Sequence, residues 1–378
     1  MKKVLFLSKS IAPFYTQRRD VDYIIENLLS RGYDISIYDL KAKNLFHINS
    51  KTNTAYNPFP KLFYISKLSL LLNFICFTLF CLKNKKKYDI VQINYVRAEY
   101  LIIPGLINRL GNKLQISLFG SDINERNIVK DKFTKLYKYA DKIIATNTTF
   151  LHKANQLIKD VDVLAKSNVI ILPQDHFKLY YNFEVNQKAE SKNKMGINPA
   201  LQVIAVGTNY SPNEQHESII KQLQQLKNKD QYHLIFNISN RYNTISERAK
   251  MLMDLIDKNL SEFKYTVNST FLSFEEVATI RHATDIFINL RKNDQLAASM
   301  LESNLSYSEV ITGAWLPYAD YKKSINVHCI DKISELNEKI YELSTTNEHS
   351  LVNNRNKVIE KYDSGVIDQW IQLFAESK

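Results

Sequence analysis

Two carboxylates in the second half of the chain have the residue type and spacing of a site for an extended ligand. Asp294 and Glu302 stand eight positions apart in the stretch DQLAASMLE, which follows the apolar run DIFINL. If the whole stretch is helical, this spacing predicts a rise of about 12 Å and faces offset by roughly 80°. The two carboxylates would then be too far apart to share a proton or a metal ion, but they could bind opposite ends of one molecule.

Small, uncharged residues separate the two carboxylates. In a helix that starts here, Leu296, Ala297 and Ala298 would expose first-turn N–H groups, which favour an anion such as a diphosphate. A sugar hydroxyl at Asp294, a diphosphate at the amides and a ribose diol at Glu302 would together make up a nucleotide sugar. The alternative is structural: Asp294 is an N-cap and Glu302 is an exposed helical residue.

The same stretch resembles a signature of the retaining glycosyltransferases of the GT-B fold, which carry Glu-x7-Glu followed by a small-residue turn and a buried strand. Here the pattern reads Asp294-x7-Glu302, then SNLSYS and EVIT. Asp at the first position is one methylene shorter than the usual Glu, and Gln295, Ala297 and Ala298 stand where the family usually shows glycines.

This resemblance implies an α/β fold of two Rossmann-like, doubly wound domains that face a cleft, with a C-terminal helix that crosses back to the first domain. It implies Asp294 as the catalytic residue that orients the sugar. It also implies that Gln295, Leu296, Ala297 and Glu302 contact the donor.

A glycine turn in the first half is similar to the Gly-x-Asp turn that these enzymes often carry in their N-terminal domain. The turn lies in ISLFGSDINERN, residues 116–127, where Gly120 ends a predicted strand and allows an unusual backbone. The resemblance implies that Asp122 faces the cleft and hydrogen-bonds the acceptor or the donor sugar as a second catalytic residue. The alternative is that Asp122 caps the helix that follows.

The loop GTNYSPNEQHE, which begins at Gly207, corresponds to the first turn of the family's C-terminal domain. Family members often place a basic pair there to neutralise the donor diphosphate, but this chain has polar residues such as Asn209 and lacks the usual Lys. Some cation must offset a departing diphosphate when no metal is bound. The available cations are Arg241, Arg291 and Lys292. Lys292 is the first choice and Arg241 the second, although each could be a solvated loop cation.

The composition is that of a globular chain with a basic surface. With 378 residues, of which 45% are hydrophobic, the chain can bury large cores and is long enough for two domains. Its net charge of +11 predicts attraction to polyanions, without choosing between phosphorylated substrates, anionic lipids and nucleic acid. Three cysteines in apolar surroundings are too few for a disulfide framework or a zinc site, and they indicate a reducing compartment.

Metal and dinucleotide chemistry are not indicated. The loop SKSIAPFYTQRR lacks the glycine fingerprint of dinucleotide-binding folds. Asp-x-Asp triplets begin at Asp20 and Asp160, but the first opens a predicted helix and the second joins a helix to a strand, so chance is the simpler explanation. We therefore expect no cofactor and no metal.

Strands alternate with helices in both halves, which predicts two parallel, doubly wound sheets. The alternation restarts at Val203 after an aromatic, polar segment with little periodicity. We predict an acceptor domain at 1–173, a linker at 174–193 and a donor nucleotide-sugar domain at 194–360. A last helix at 361–378 is predicted to pack back on the first domain, with Trp370 as its anchor.

The most apolar segment, 62–82, is followed by a lysine cluster that consists of Lys83, Lys85, Lys86 and Lys87. Its uninterrupted part, 68–82, would span only about 22 Å as a helix, short of the ~30 Å hydrocarbon core of a bilayer. One interpretation is a helix inserted partway into an anionic leaflet, with contact through 62–87. The other is a buried helix on the sheet with a solvated charge cluster at its end.

Together with the resemblance, these features predict a metal-independent, retaining glycosyltransferase that uses a UDP-, GDP- or dTDP-linked sugar. The expected acceptor is a glycan or a lipid-linked molecule of bacterial-type surface polysaccharide assembly, and no nucleic acid partner is expected. The run VLFLS is a buried strand and not a secretory leader, so we expect a cytoplasmic protein, peripheral on the inner membrane if 62–87 inserts. The alternatives are a sugar-nucleotide epimerase of the same fold and a basic, non-catalytic protein that binds nucleic acid or anionic membranes.

Overall fold

A computed structural model describes residues 1–8, 19–39, 44–48, 53–56, 69–94, 96, 98–118, 130–158, 161–239, 245–343 and 348–376. Asp122, Arg241 and the first part of the apolar segment, 62–68, lie outside these residues. The chain forms two compact units. The first combines Met1–Asp175 with Gly365–Lys378, and the second is His176–Ser364.

The described residues contain strands and helices in alternation. The strands are β1 Lys3–Ser8, β2 Asp34–Asp39, β3 Asn44–Ile48, β4 Asn53–Tyr56, β5 Tyr88–Asn94, β6 Gly111–Ser117, β7 Lys142–Ala145, β8 Ser167–Val169, β9 Gln202–Val206, β10 Tyr232–Asn237, β11 Lys264–Asn268, β12 Ile286–Asn289, β13 Glu309–Gly313 and β14 His328–Ile330. The helices are α1 Arg19–Ser30, α2 Ser69–Lys83, α3 Ala98–Ile102, α4 Pro104–Asn108, α5 Lys130–Tyr139, α6 Thr148–Leu157, α7 Lys188–Lys194, α8 His216–Leu223, α9 Glu247–Asn259, α10 Phe274–Ala283, α11 Ala298–Leu305, α12 Ala319–Lys322, α13 Leu336–Glu342, α14 Glu348–Tyr362 and α15 Val366–Ala375.

The first unit is built on an eight-stranded sheet in the order β4-β3-β2-β1-β5-β6-β7-β8. Its strands are parallel except β3, which runs antiparallel to both β2 and β4. Alternate side chains of β1 point to opposite faces. Leu5 and Leu7 belong to the main core of this unit, whereas the buried ring of Phe6 contacts Phe374 with ring centroids 5.9 Å apart. Both faces of the sheet are therefore covered.

The second unit has a six-stranded, wholly parallel sheet in the order β11-β10-β9-β12-β13-β14. Its central strand β9 is apolar on both sides. Ile204 and Val206 enter one core cluster, and Val203 and Ala205 enter another. Because the strand carries no polar alternation, helices must cover both faces, as in a doubly wound sheet.

The C-terminal helix α15 belongs to the first unit. The indole Nε1 of Trp370 donates to the carbonyl of Ile171 at 2.7 Å, and the ring is buried. The side-chain amide of Gln115 in β6 donates to the carbonyl of Leu373 at 3.3 Å. The predicted return of the last helix to the first domain is confirmed, with Trp370 as a packing anchor.

The predicted linker, 174–193, is structured in short pieces. It contains two 3-10 helices, Asp175–Tyr180 and Val185–Gln187, and most of α7. The Lys192 ammonium lies 2.7 Å from the carboxylate of Asp285, the residue just before β12. Short 3-10 turns lack the 3.6-residue period of a helix, so the sequence pattern does not indicate them.

The apolar helix α2 has two different faces. Phe77, Phe80 and Cys81 are buried in the core of the first unit. By contrast, Ile75, Leu79 and Leu82 are exposed, and their i, i+4, i+7 spacing places them on one side of the helix. Among the helices of the described residues, none is long and apolar enough to cross a membrane. Packing on the sheet accounts for one face of α2 and leaves an apolar stripe on the other.

Candidate functional site

The carboxyl ends of β9 and β12 mark the point at which the sheet of the second unit changes direction. From β9 the chain moves outward through β10 and β11, and it returns on the other side of β9 as β12. Ligands of open α/β sheets bind in the crevice that such diverging connections create. We define the switch-point site as the loops 207–215, 290–297 and 314–318 at this edge.

The loop after β9 is shaped by a glycine. Gly207 has a φ of +65°, a region that favours glycine, and a Cβ at this position would lie 2.5 Å from Cε1 of His216. The buried His216 donates from Nε2 to the carbonyl of Asn209 at 2.7 Å, and burial lowers the pKa of His216. The side-chain amide of Asn209 donates to Glu214 at 3.2 Å. The loop thus folds back tightly onto the start of α8.

Arg291 ties the loop after β12 to the loop after β9. Its Nη2 donates to Oγ1 of Thr208 at 2.6 Å and to Oε1 of Glu214 at 2.7 Å, while its Nη1 lies 3.5 Å from Oδ2 of Asp294. Burial alone would lower the pKa of Arg291, but the charges of Glu214 and Asp294 outweigh it and raise this pKa. One guanidinium between two carboxylates leaves a net negative charge, so Arg291 is not free to neutralise a diphosphate.

Asp294 lies before the helix and not in it. Its carboxylate accepts a hydrogen bond from the hydroxyl of Tyr318 at 2.6 Å. Burial, together with the charge of Asp294, raises the pKa of Tyr318 well above its usual value, which keeps the phenol protonated as a donor. The N-cap of α11 is Ala297, and no side chain caps it. Both the N-cap interpretation of Asp294 and the single helix from Asp294 to Glu302 are therefore wrong.

The start of α11 presents an uncapped helix N-terminus. The first helical residue is Ala298, so the predicted free amides shift by one or two positions toward Ser299. Gln295 and Ala297 are buried, and Leu296 is half-buried. The buried hydroxyl of Ser299 has no hydrogen-bond partner within the described part of the chain. An anion at this terminus would meet free amides at the positive end of the helix dipole.

Glu302 is buried in an ion-paired cluster. Its Oε1 lies 2.9 Å from Nε2 of His176, and its Oε2 lies 3.2 Å from Nε of Arg281. Burial would raise the pKa of Glu302, but the hydrogen bond from His176 and the charge of Arg281 lower it overall. The exposed helical Glu of the structural alternative is therefore wrong. Each carboxylate oxygen has a second lone pair, so both could still accept from a ribose diol.

The predicted cations have different positions. The side chain of Lys292 is exposed, and its backbone N–H donates to the carbonyl of Asn213 at 2.9 Å. Arg241 and the predicted catalytic Asp122 lie outside the described residues. Within the described ranges, no group of three or more His, Cys, Asp or Glu side chains could hold a metal ion.

Several residues of this site were not predicted. Glu214 and Tyr318 complete the surroundings of Arg291 and Asp294, and His176 and Arg281 complete those of Glu302. His176 and Glu302 are 126 positions apart, so no local spacing could have paired them. A buried Glu in a loop between Pro and a helix gives no signal that a guanidinium from another loop will meet it.

Comparison with known proteins supports the fold. No protein-family model matches the sequence, and no curated protein matches it. HepE from Anabaena, solved in complex with UDP and glucose, has a TM-score of 0.69 and 14% identity, with 100% of both chains covered. Sucrose-phosphate synthase from Thermosynechococcus elongatus has a TM-score of 0.76 and 12% identity over 100% of this chain and 99% of that one. A glycosyltransferase from Rickettsia africae has a TM-score of 0.71 and 16% identity over 100% of this chain and 98% of that one. These likenesses confirm the predicted GT-B fold class.

Proposed function

We propose that the protein is a glycosyltransferase that uses a nucleotide-sugar donor. The observation that carries this proposal is the switch-point site, where the uncapped start of α11 follows the carboxylate of Asp294 and where Ser299 has no hydrogen-bond partner among the described residues. The helix terminus suits a diphosphate, and the carboxylate suits a sugar hydroxyl. HepE, which has the same fold, was also solved in complex with UDP-glucose, and that structure has a TM-score of 0.70.

The proposed reaction proceeds with retention at the anomeric carbon. The bond from this carbon to the diphosphate oxygen breaks, and the acceptor oxygen bonds on the same face. The departing diphosphate oxygen takes the proton of the acceptor hydroxyl. Asp294, fixed by the hydrogen bond from Tyr318, orients the sugar and stabilises the positive charge that develops at the carbon.

The remaining site residues are proposed to hold the donor. Gly207 and Asn209 bring the backbone of the β9 loop close to the diphosphate, and Glu302 contacts the ribose diol. Lys292 is the proposed counter-charge because its side chain is exposed and Arg291 is already paired with two carboxylates. Arg241 and the acceptor-side Asp122 complete the proposed set.

We also propose that the acceptor is a glycan or lipid-linked molecule of bacterial-type surface polysaccharide assembly, and that the cytoplasmic protein touches an anionic membrane through 62–87. The support is the exposed stripe of Ile75, Leu79 and Leu82 beside the exposed lysine cluster. An apolar stripe flanked by lysines is typical of segments that lie in the interface of anionic membranes.

A thermal-shift screen of nucleotides and nucleotide sugars tests the donor class. A ligand at 100 times its Kd stabilises the folded state by about 2.7 kcal/mol. For a unit the size of His176–Ser364, this free energy corresponds to a Tm increase of about 5–11 °C. A shift with UDP-, GDP- or dTDP-sugars supports the donor site. If no nucleotide shifts the Tm, while RNA or lipid binds in a salt-sensitive manner, the binding-protein alternative is favoured.

The stereochemical proposal has its own test. The anomeric configuration of the product, read from proton coupling constants, should match that of the donor. An inverted product would contradict retention and leave the transferase assignment intact. Conversion of the nucleotide sugar to an isomer without any acceptor would favour the epimerase.

A further inference from the structure

The two tryptophans of the chain lie in opposite environments. Trp370 is buried in the first unit, whereas Trp315, in the loop after β13, is 40% exposed. Burying a large aromatic side chain is normally favourable, and aromatic rings supply large contact areas in binding sites. Trp315 lies in a loop of the switch-point site, so its conformation decides whether the exposed part of the ring can contact a ligand there.

Trp315 lies flat on Gly313. A Cβ at Gly313 would lie 2.3, 2.4 and 2.6 Å from Cε2, Cζ2 and Cδ2 of the indole. Because Cδ2 and Cε2 form the ring-fusion bond, an approach this close to both comes from the face of the ring and not from its edge. One face of the indole is thus covered by glycine, and the exposed area must lie on the other face and the rim.

The indole is also fixed in orientation. Its Nε1 donates to the carbonyl of Arg291 at 2.7 Å, so the only polar atom of the ring is satisfied. A ring that rests on a backbone and is held by a hydrogen bond has little rotamer freedom to lose when a ligand binds. The open face is therefore a preorganised surface.

Groups that suit a sugar are linked to Trp315 through Arg291. The same short loop contributes Tyr318, whose hydroxyl donates to Asp294 at 2.6 Å, and Arg291 connects the indole and Asp294 through its carbonyl and its guanidinium. A pyranose ring has an apolar face of C–H groups and a rim of hydroxyls. The negative face of an indole attracts the C–H groups, and a neighbouring carboxylate accepts from the hydroxyls.

We propose that Trp315 is a stacking platform for a pyranose ring at the switch-point site. The inference rests on the proposed transferase function and deepens it by naming a specificity-determining residue. The pyranose is either the sugar of the donor or a sugar of the acceptor. The shared chemistry is a C–H face on the indole with hydroxyls toward Asp294.

Quenching of tryptophan fluorescence by acrylamide measures whether a bound sugar protects Trp315, because Trp315 is exposed and Trp370 is buried. The probes are UDP, GDP and dTDP, then UDP-glucose, GDP-mannose and dTDP-glucose, and then methyl α-D-glucopyranoside and methyl α-D-mannopyranoside with and without a nucleotide. The Trp315→Phe variant shows which part of the fluorescence is lost with Trp315. The Trp370→Phe variant leaves Trp315 as the one tryptophan that emits. Protection by a nucleotide sugar but not by its free nucleotide assigns the platform to the donor sugar. Protection by a methyl glycoside assigns it to the acceptor.

Two variants report on affinity. Trp315→Ala should weaken binding of the protecting sugar by about threefold to tenfold and leave the Kd of the free nucleotide unchanged. Gly313→Ala should give a similar loss although the tryptophan is retained, because the new methyl group displaces the ring. A folded Gly313→Ala variant with full sugar affinity would contradict the platform.

The two proposals can fail separately. If free nucleotides bind but no sugar protects Trp315, the platform is wrong and the transferase proposal stands. If a methyl glycoside protects Trp315 while no nucleotide or nucleotide sugar binds, the platform stands as a carbohydrate site and the transferase proposal fails. If no probe protects Trp315 and Trp315→Ala binds every probe as the wild type does, the platform is overturned.

Discussion

Replacing Glu302 by Gln should destabilise the second unit strongly, because Glu302 compensates a buried cation. The Arg281 side chain is 3% exposed, and its guanidinium lies over the ring of Phe287 at 4.3 Å. Removing one partner of a buried ion pair costs about 3–5 kcal/mol. With about 2–4 °C of Tm per kcal/mol for a unit of this size, we expect a decrease of about 6–20 °C.

The assay is a melt followed by circular dichroism at pH 7, with calorimetry to resolve the two units. Glu338→Gln, in helix α13, is a control that makes the same chemical change in a different element. The double variant Arg281→Met with Glu302→Leu should melt well above Glu302→Gln, because apolar replacement of both partners removes the uncompensated charge. A Glu302→Gln variant that melts with the wild type would refute the reasoning.

The pH dependence of this difference follows from the lowered pKa of Glu302. A carboxyl group whose pKa is lower in the folded state stabilises the protein above its unfolded pKa, here near 4.5, and loses this effect as the pH falls through the folded value. The Tm gap between the wild type and Glu302→Gln should therefore narrow in acid. Calorimetric titration of the folded variant separately tests the ribose contact, and an unchanged nucleotide affinity would remove that assignment.

Asp294→Asn should lower kcat by orders of magnitude with little change in nucleotide affinity, and full activity would show that this carboxylate takes no part in catalysis. Replacing all four residues of the lysine cluster by serine should reduce co-sedimentation with anionic liposomes, since each lysine near the membrane surface contributes about 1 kcal/mol to binding. A wild-type protein that stays in the supernatant at low salt would exclude membrane contact. Burial, together with the positive charges of Lys188 and Arg355, lowers the pKa of His282 to about 4. The stability of the wild type should therefore fall as the pH drops from about 6.5 to about 4, and the Tm of His282→Phe should depend less on pH in this range. Gly207→Ala should lower the free energy of unfolding by about 1–3 kcal/mol, because it places a side chain at a positive φ and against His216. An unchanged midpoint of chemical denaturation would contradict this account.

Elements with strong local signals could be predicted from the sequence. Helix α10 runs from Phe274 to Ala283, and its start is fixed by the reciprocal capping of Ser273 and Glu276, a spacing that can be read in the sequence. The strands β3 and β4 have weak local signals, because each is short and polar residues such as Asn44 and Asn53 begin them. Their pairing with β2 depends on tertiary structure more than on local propensity.

The location of the candidate site could be predicted, but its internal contacts could not. Carboxyl ends of parallel strands meet at one edge, so Gly207 and Asp294 were expected together. The start of α11 was placed too early, since Ala297 has a high helix propensity and is of a residue type that rarely occupies an N-cap, yet it is the extended N-cap here. The partner Tyr318 comes from the loop after β13, and Arg291 is held by Glu214 from the loop after β9. Such contacts between loops are determined by long-range packing.

The return of α15 to the first unit has a consequence for how the chain can be divided. The Lys2 ammonium donates to the carbonyl of Ala375 at 2.7 Å, so the two ends of the described chain are neighbours. A fragment that stops at Asp175 lacks the helix that covers Phe6, whereas 176–364 is one continuous segment. A circular permutant that links the ends near Lys2 and Ala375 and opens the chain between 175 and 176 would make each unit continuous in sequence. Each could then be expressed and assayed for nucleotide binding by itself.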